Sequence, residues 1–367
     1  MTLSYLELKN FRLHKHTQLE FSKELNYIVG GNGQGKTTLL EAIYFLCTTK
    51  SLVSSVDSEA VNFNSQFFEI EGKFVDRVEN KIKVIYDTAK NKKFIFLDNK
   101  QIHRYTSLIG KFPVVTLVQP DHQITMGPPS ARRKFIDSVI SQASETYLKL
   151  LVEYNKILKH RSAILNRIKE TGRNDFDLDT WNQRLISVGT NIINHRKNFI
   201  KEFEVYVVEA YKKIMKEAEI PSIEYYYLDS VNGEIENRFS KLLEQKREIE
   251  IIRAANLVGP HRDDYKFGIN GFDLRKYGSQ GQHKTFQIAI KFAQFFYLKD
   301  KLGKAPIFLM DDVFGELDSN RASKIGGYLR EIGQAFITVT DLSNIEMLNI
   351  KETDRTIKIT GGVAAYA

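Results

Sequence analysis

The chain has 367 residues, 42% of them hydrophobic and 27% charged, a globular composition long enough for one large or two ordinary domains, which excludes a disordered tail or a mini-protein. Its single cysteine, Cys47, excludes a disulfide framework and a cysteine-built zinc site, so a reducing compartment, the cytoplasm, is expected. Lys and Arg number 53 against 45 Asp and Glu, and the formal charge of +8 leans toward a polyanionic partner without identifying one.

The opening MTLSYLELKNFRLHKH alternates apolar and polar residues and reaches a charge within eight positions, neither a signal-peptide core nor a membrane span, so no membrane association is expected. LSYLELKNF, TQLEFS and LNYIVG read as strands, the last running into GGNGQGKTTLLEAIYFL. There Leu39, Leu40, Ala42, Ile43 and Phe45 suit a helix packed on a sheet. FFEIEGKFV, KIKVIYDT and KFIFLDNK continue as strands of a mixed, partly antiparallel sheet. From Ala131 to Ile220 there is no proline, Gly172 and Gly189 are the only glycines, and Leu151, Tyr154, Leu158, Leu165 and Ile168 recur at helical spacing. This predicts a helical lobe with breaks near TGRNDFD and SVG, its helices roughly twenty to thirty residues long and too short for a coiled-coil arm. The apolar strand IFLMDD and the strand-like QAFITVT follow near the C-terminus.

Gly30, Gly31, Asn32, Gly33, Gln34, Gly35, Lys36 and Thr37 satisfy G-x-x-x-x-G-K-[ST] between a strand and a helix. The glycines let backbone N–H groups converge on phosphate oxygens at a helix N-terminus, where Thr38 continues the binding segment. Lys36 is placed to reach the β and γ phosphates and Thr37 to offer a hydroxyl to Mg²⁺. The apolar strand over 307–312, ending in two acids, suits a buried parallel strand that would deliver Asp311 to the same metal, leaving Asp312 to orient or deprotonate the attacking water. Ser279, Gln280, Gly281 and Gln282 read either as a second phosphate-binding helix start or as a bare turn and N-cap. Lys36 and Asp311 stand 275 positions apart, so a large segment is inserted between them.

The order of these motifs resembles the head of ABC-type ATPases of the branch shared with SMC proteins, and within that branch the RecF family. LELKNFR, GGNGQGKTTLLEAI, QPDHQITMGPPSARRKFID, NKILKHRSAIL, LDTWNQRL, GPHRDD, SQGQ and DDVFGELD carry the resemblance nearly end to end. It implies a split α/β P-loop head, residues 1–125 and 255–367, with an inserted helical lobe at 126–254. It further implies ATP and Mg²⁺ as cofactors, an ATP-driven homodimer in which Ser279 to Gln282 complete the opposite subunit's ATP site, and Asp318 near the dimer interface. Asp341 falls near the switch position. Gln119 is a candidate for the loop coupling nucleotide to the lobe, or equally a plain loop residue before Pro120. The implied activity is weak, DNA-dependent ATP hydrolysis. The implied function is binding duplex DNA at gaps and single-strand to double-strand junctions and promoting recombinase loading with RecR and RecO partners, in repair, replication restart and SOS induction.

Two departures from the family pattern stand out. Val53 occupies the place of an arginine usual soon after the first helix, with Lys50 as the nearby substitute, and GELD replaces SELD. For DNA contacts, Lys156, Lys159, Arg161, Arg167 and Lys169 outnumber Glu153 and Glu170, and Arg132, Arg133 and Lys134 open the same lobe. This basic face reads as backbone-directed, salt-sensitive binding or as an ordinary solvated helix surface. A transporter ATPase subunit would need a membrane-docking surface, and a chromosome-organising SMC protein would need hundreds of heptad residues that the chain lacks.

Overall fold

The computed structural model describes residues 1–172, 177–215, 219–230, 234–314, 319–341 and 350–367. The chain begins with β1 (Thr2–Phe11), β2 (His14–Glu20) and β3 (Leu25–Val29), the last leading into α1 (Lys36–Thr48). A meander of β4 (Phe67–Val75), β5 (Glu79–Asp87), β6 (Lys92–Leu97) and β7 (Lys100–Ile102) precedes β8 (Val114–Leu117). The middle of the chain carries α2 (His122–Met126), α3 (Pro129–Ala143), α4 (Glu145–Thr171), α5 (Asp177–Met215), β9 (Pro221–Tyr226) and α6 (Ile235–Arg253). Then come β10 (Asp264–Ile269), β11 (Phe272–Asp273), α7 (Leu274–Tyr277) and α8 (Gln280–Leu302). The C-terminal part comprises β12 (Ile307–Asp311), α9 (Ser319–Leu329), β13 (Ala335–Val339), β14 (Arg355–Thr360) and β15 (Val363–Tyr366).

Met1–Asp121, Ala210–Lys216 and Ile288–Ala367 form one compact unit, and His122–Glu209 with Glu217–Gln287 form a second. The first unit holds two six-stranded sheets. One is antiparallel, in the order β2-β1-β4-β5-β6-β7, and the other runs β15-β14-β3-β13-β12-β8, parallel except for β15. The continuous apolar runs LNYIV, IFLM and AFITV become β3, β12 and β13 because a parallel strand covered on both faces must be apolar on both. Helix α1 packs against β1, β4 and β5 of one sheet and β12 and β13 of the other. That is why TLLEAIYFLC has no polar stripe, and why Leu39, Leu40, Ile43, Phe45 and Leu46 all enter the core of this unit. The buried Gln334 ties the sheets together. Its amide donates to Leu3 O at 2.8 Å and Ser22 O at 2.7 Å, and its Oε1 accepts from Leu3 N–H at 2.7 Å. Glu41, buried within α1, accepts two bonds from Arg12 of LELKNFR at 2.8 and 3.0 Å and one from the Ser51 hydroxyl.

Helix α4 of the second unit keeps the predicted length at 27 residues, but α5, which belongs to that unit as far as Glu209, runs unbroken for 39, straight through the break expected at SVG. Gly189 is there for clearance, since a Cβ on it would stand 2.5 Å from the Phe239 ring. A three-stranded sheet, β11-β10-β9, also belongs to this unit. Its pairing of β10 with β9 carries GPHRDD and SQGQ into the unit that was expected to end at 254, so the boundary falls instead at 287, within α8. In this unit three arginines, Arg132, Arg161 and Arg196, are buried in hydrogen-bond networks. Arg196 donates to Asp137 at 2.9 and 3.0 Å, to Asp263 at 2.9 Å and to Pro260 O at 2.7 Å.

Candidate functional site

The glycine loop between β3 and α1 forms as the spacing requires. Gly35, the residue before α1, has φ 106°, a conformation side-chain-bearing residues rarely adopt. No side chain caps this helix start, so the N–H groups of its first turn have no side-chain acceptor; groups so placed suit an anion. Lys36 lies beneath the loop, 5% exposed, donating to Gly30 O at 2.6 Å and Gly31 O at 3.1 Å, with its ammonium 3.9 Å from Asp312.

From the far end of the chain, β12 brings Asp311 against Thr37, whose hydroxyl lies 2.9 and 3.0 Å from the two carboxylate oxygens. Asp311 pairs in register with Thr338 of β13, and the Thr338 hydroxyl donates to Asp311 at 2.7 Å while accepting the Asp312 N–H at 2.9 Å. One hydroxyl thus orients both acids. Asp312 itself has φ 52°, a left-handed conformation of the kind that concentrates at functional positions. Asn32, Gly33, Gly35, Lys36, Thr37, Thr38, Gln119, Asp311 and Asp312 line one cavity of about 390 Å³, together with Leu13. The hydroxyl and carboxylate are hard oxygen donors that fit Mg²⁺, and the glycine loop fits a polyphosphate.

The C-terminal hairpin also serves this loop. Gly361 N–H donates to Gln34 Oε1 at 2.5 Å and Gly362 N–H to Gln34 O at 3.0 Å. Beneath it His14 is fully buried between Thr17 and Gly35, and burial holds its imidazole below the usual histidine range. Leu13, His14, Thr338, Gly361 and Gly362 escaped the sequence reading, because nothing local marks them; they are brought in by strand pairing. Cys47 is buried, which pushes its thiol up and leaves it inert.

Ser279 to Gln282 lie in the second unit. The Ser279 hydroxyl accepts from Gln282 N–H at 3.2 Å and the Gln282 side chain accepts from Ser279 N–H at 2.8 Å, a reciprocal capping box that starts α8. Both side chains also remain at the surface or half-buried, as a ligand site would need. Asp318 lies outside the described residues, and Asp341 is exposed just beyond β13.

The DNA-facing set needs correction. Arg132 is 3% exposed and paired with Asp264 at 2.7 and 3.0 Å, and Arg161 is 1% exposed and held by Glu250 at 2.8 Å, Asn182 at 2.9 Å and Asn256. Arg133, half-buried, donates to Asp263 O at 2.6 Å. These arginines brace the unit. Lys156 and Lys159, by contrast, are exposed on α4.

A family model described as an AAA domain matches residues 5–255. A protein named DNA replication and repair protein RecF from Chloroherpeton thalassium is 38% identical, the match covering 93% of this chain and 95% of that one. The protein of the same name from Lachnoclostridium phytofermentans is 37% identical over 99% of both. Among solved structures, the recombination mediator protein RecF with ATP, of the RecFOR pathway, is 32% identical with TM-score 0.90, covering 100% of this chain and 97% of that one. An SMC head from Pyrococcus furiosus, at 16% identity and TM-score 0.58, covers 100% of this chain and 95% of that one and shares the fold alone. The fold is therefore the split ABC-type ATPase head expected from the motifs. Similarity of this depth over nearly the whole length, on top of a complete phosphate loop met by paired acids, places the chain in the RecF family of DNA replication and repair proteins.

Proposed function

We propose that the chain is an ATP-driven dimeric clamp that binds duplex DNA at gaps and junctions and promotes recombinase loading, hydrolysing ATP slowly and in a DNA-dependent way to reset. The observation that supports this best is the one cavity where Lys36 and Thr37 meet Asp311, Asp312 and Gln119. Lys36 and the first N–H groups of α1 would bind the β and γ phosphates, and Thr37 and Asp311 would hold Mg²⁺. Bound Mg²⁺ supplies neutralisation of phosphate charge. Asp312, its backbone pinned through Thr338, holds the attacking water and accepts its proton. Ser279, Gln280, Gly281 and Gln282 of a second copy complete the site. DNA contacts are to the backbone and draw on exposed cations such as Lys156 and Lys159. RecR-like and RecO-like proteins are the partners in this reading, with roles in replication restart and SOS induction, in the cytoplasm. Among the described residues no helix is long and apolar enough to cross a membrane.

The test is complementation between inactive variants. Lys36→Ala fails at its own phosphate loop, and Ser279→Arg fails by blocking the partner's site. Mixed, they form heterodimers with one intact site, and hydrolysis recovers to below half of the wild-type rate. A mixture that stays inactive although heterodimers form, or Ser279→Arg hydrolysing normally alone, overturns the shared site.

A further inference from the structure

We infer that His14 is a positioning residue for nucleotide binding: buried beneath the glycine loop, its imidazole holds the Gly35 carbonyl and so aims the Gly35–Lys36 peptide at the phosphates. The inference rests on the ATP reading of the cavity.

The geometry leaves one tautomer. His14 Nε2 lies 3.3 Å from Gly35 O, and a carbonyl can only accept, so Nε2 carries the hydrogen. Nδ1 then has a lone pair, which accepts from the Thr17 hydroxyl at 2.9 Å. Full burial keeps the ring neutral, and both nitrogens are satisfied. The seat is close as well, since a Cβ on Gly35 would stand 3.0 Å from Nε2.

What this achieves follows from peptide planarity. The Gly35 carbonyl and the Lys36 N–H project from opposite edges of one rigid plane, so anchoring the first on the protein side turns the second away from it. Gly35 is among the residues of the loop with the greatest rotational freedom, and it carries no side chain that could fix its own orientation. The preceding peptide is held independently, by Gly362 N–H on Gln34 O, while Gly361 N–H holds the Gln34 side chain. Two successive peptides are thus gripped from outside the cavity. Leu13, directly before His14, lines that cavity, so the same short segment touches the nucleotide space and braces its floor.

The experiment compares ATP affinity, measured with the full chain, in His14→Phe, His14→Gln and Thr17→Val. Phe keeps the ring and removes both nitrogens, and should weaken ATP binding about tenfold, in KM rather than kcat, the worth of one oriented hydrogen bond. Gln keeps an N–H at similar reach and should bind within about threefold of wild type. Thr17→Val leaves His14 in place but removes the hydrogen-bond partner that seats its Nδ1, and should fall between them; it decides the matter if the Phe variant does not fold. Thermal unfolding without nucleotide separates packing from positioning. Wild-type affinity in His14→Phe, or equal losses in the Phe and Gln variants that track their unfolding temperatures, overturns the inference, as does wild-type affinity in Thr17→Val where the Phe variant does not fold. Lys36→Ala, run in parallel, tells the two levels apart: if it too binds ATP normally, the ATP reading itself has failed.

Discussion

Lys36 in the first unit and Arg196 in the second are both nearly inaccessible cations, 5% and 2% exposed, yet they are partnered differently. Arg196 is saturated by two carboxylates, a carbonyl and the Tyr147 hydroxyl at 3.1 Å. Lys36 holds two backbone carbonyls, and the Asp312 carboxylate lies 3.9 Å away. A cation saturated by ions of its own chain has nothing left for a ligand, whereas one resting on neutral carbonyls gains by exchanging them for phosphate. The contrast separates cations consumed in holding the fold from those placed to take a ligand, a distinction that residue type alone does not make.

The largest effect should come from breaking the saturated side. Arg196→Ala leaves the buried Asp263 and the half-buried Asp137 without their cation and should cost about 3–5 kcal/mol in urea unfolding. A loss under about 1 kcal/mol would erase the contrast. On the chemical side, Asp312→Asn should slow ATP hydrolysis about 100-fold or more, with ATP affinity and unfolding midpoint unchanged. A full hydrolysis rate would remove Asp312 from the role of base.

A pH titration sharpens the picture of the second unit. His261 accepts from the Tyr154 hydroxyl at 2.8 Å and donates to Asn256 O, and burial pushes its pKa down to about 4. Because this value is depressed below that of the unfolded chain, its contribution is complete above about pH 6.5 and is lost as pH falls toward 4. About 2 kcal/mol should be gone by pH 5, and His261→Gln should flatten that part of the profile. The smallest effect is electrostatic: Lys156→Ala with Lys159→Ala should reduce the log–log salt slope of DNA binding by about 0.9 per lost phosphate contact, with sequence preference unchanged. An unchanged slope moves the DNA surface off α4.

Where chemistry is contiguous, the sequence was readable. The glycine loop, its strand and its helix occupy 24 consecutive residues from Leu25 to Thr48, and IFLMDD announces a buried strand ending in acids. What escaped depends on partners far along the chain. Arg132 meets Asp264 across 132 positions and Arg161 meets Glu250 across 89, so two arginines that look like a phosphate-binding face are spent inside the unit. Gly189 read as a helix break because its reason, Phe239, is fifty residues away. Strand β9 went unread in the lobe expected at 126–254, just past the helical stretch that ends at Ile220, because its β character is expressed only through pairing with β10. Asp318 remains an expectation from family resemblance.

The order of the parallel sheet has a consequence for how the protein is made. Strand β3, which leads into the glycine loop, has β13 and β14 as its two neighbours, and both come from the last 33 residues of the chain. At typical synthesis speeds of about 5–20 residues per second, β3 waits roughly 15–60 seconds for either partner to be translated. Throughout that interval an apolar strand has both hydrogen-bonding edges open, the condition that invites pairing with another chain. The nucleotide site is therefore among the last parts of the molecule that can be completed on the ribosome, however early its loop is made.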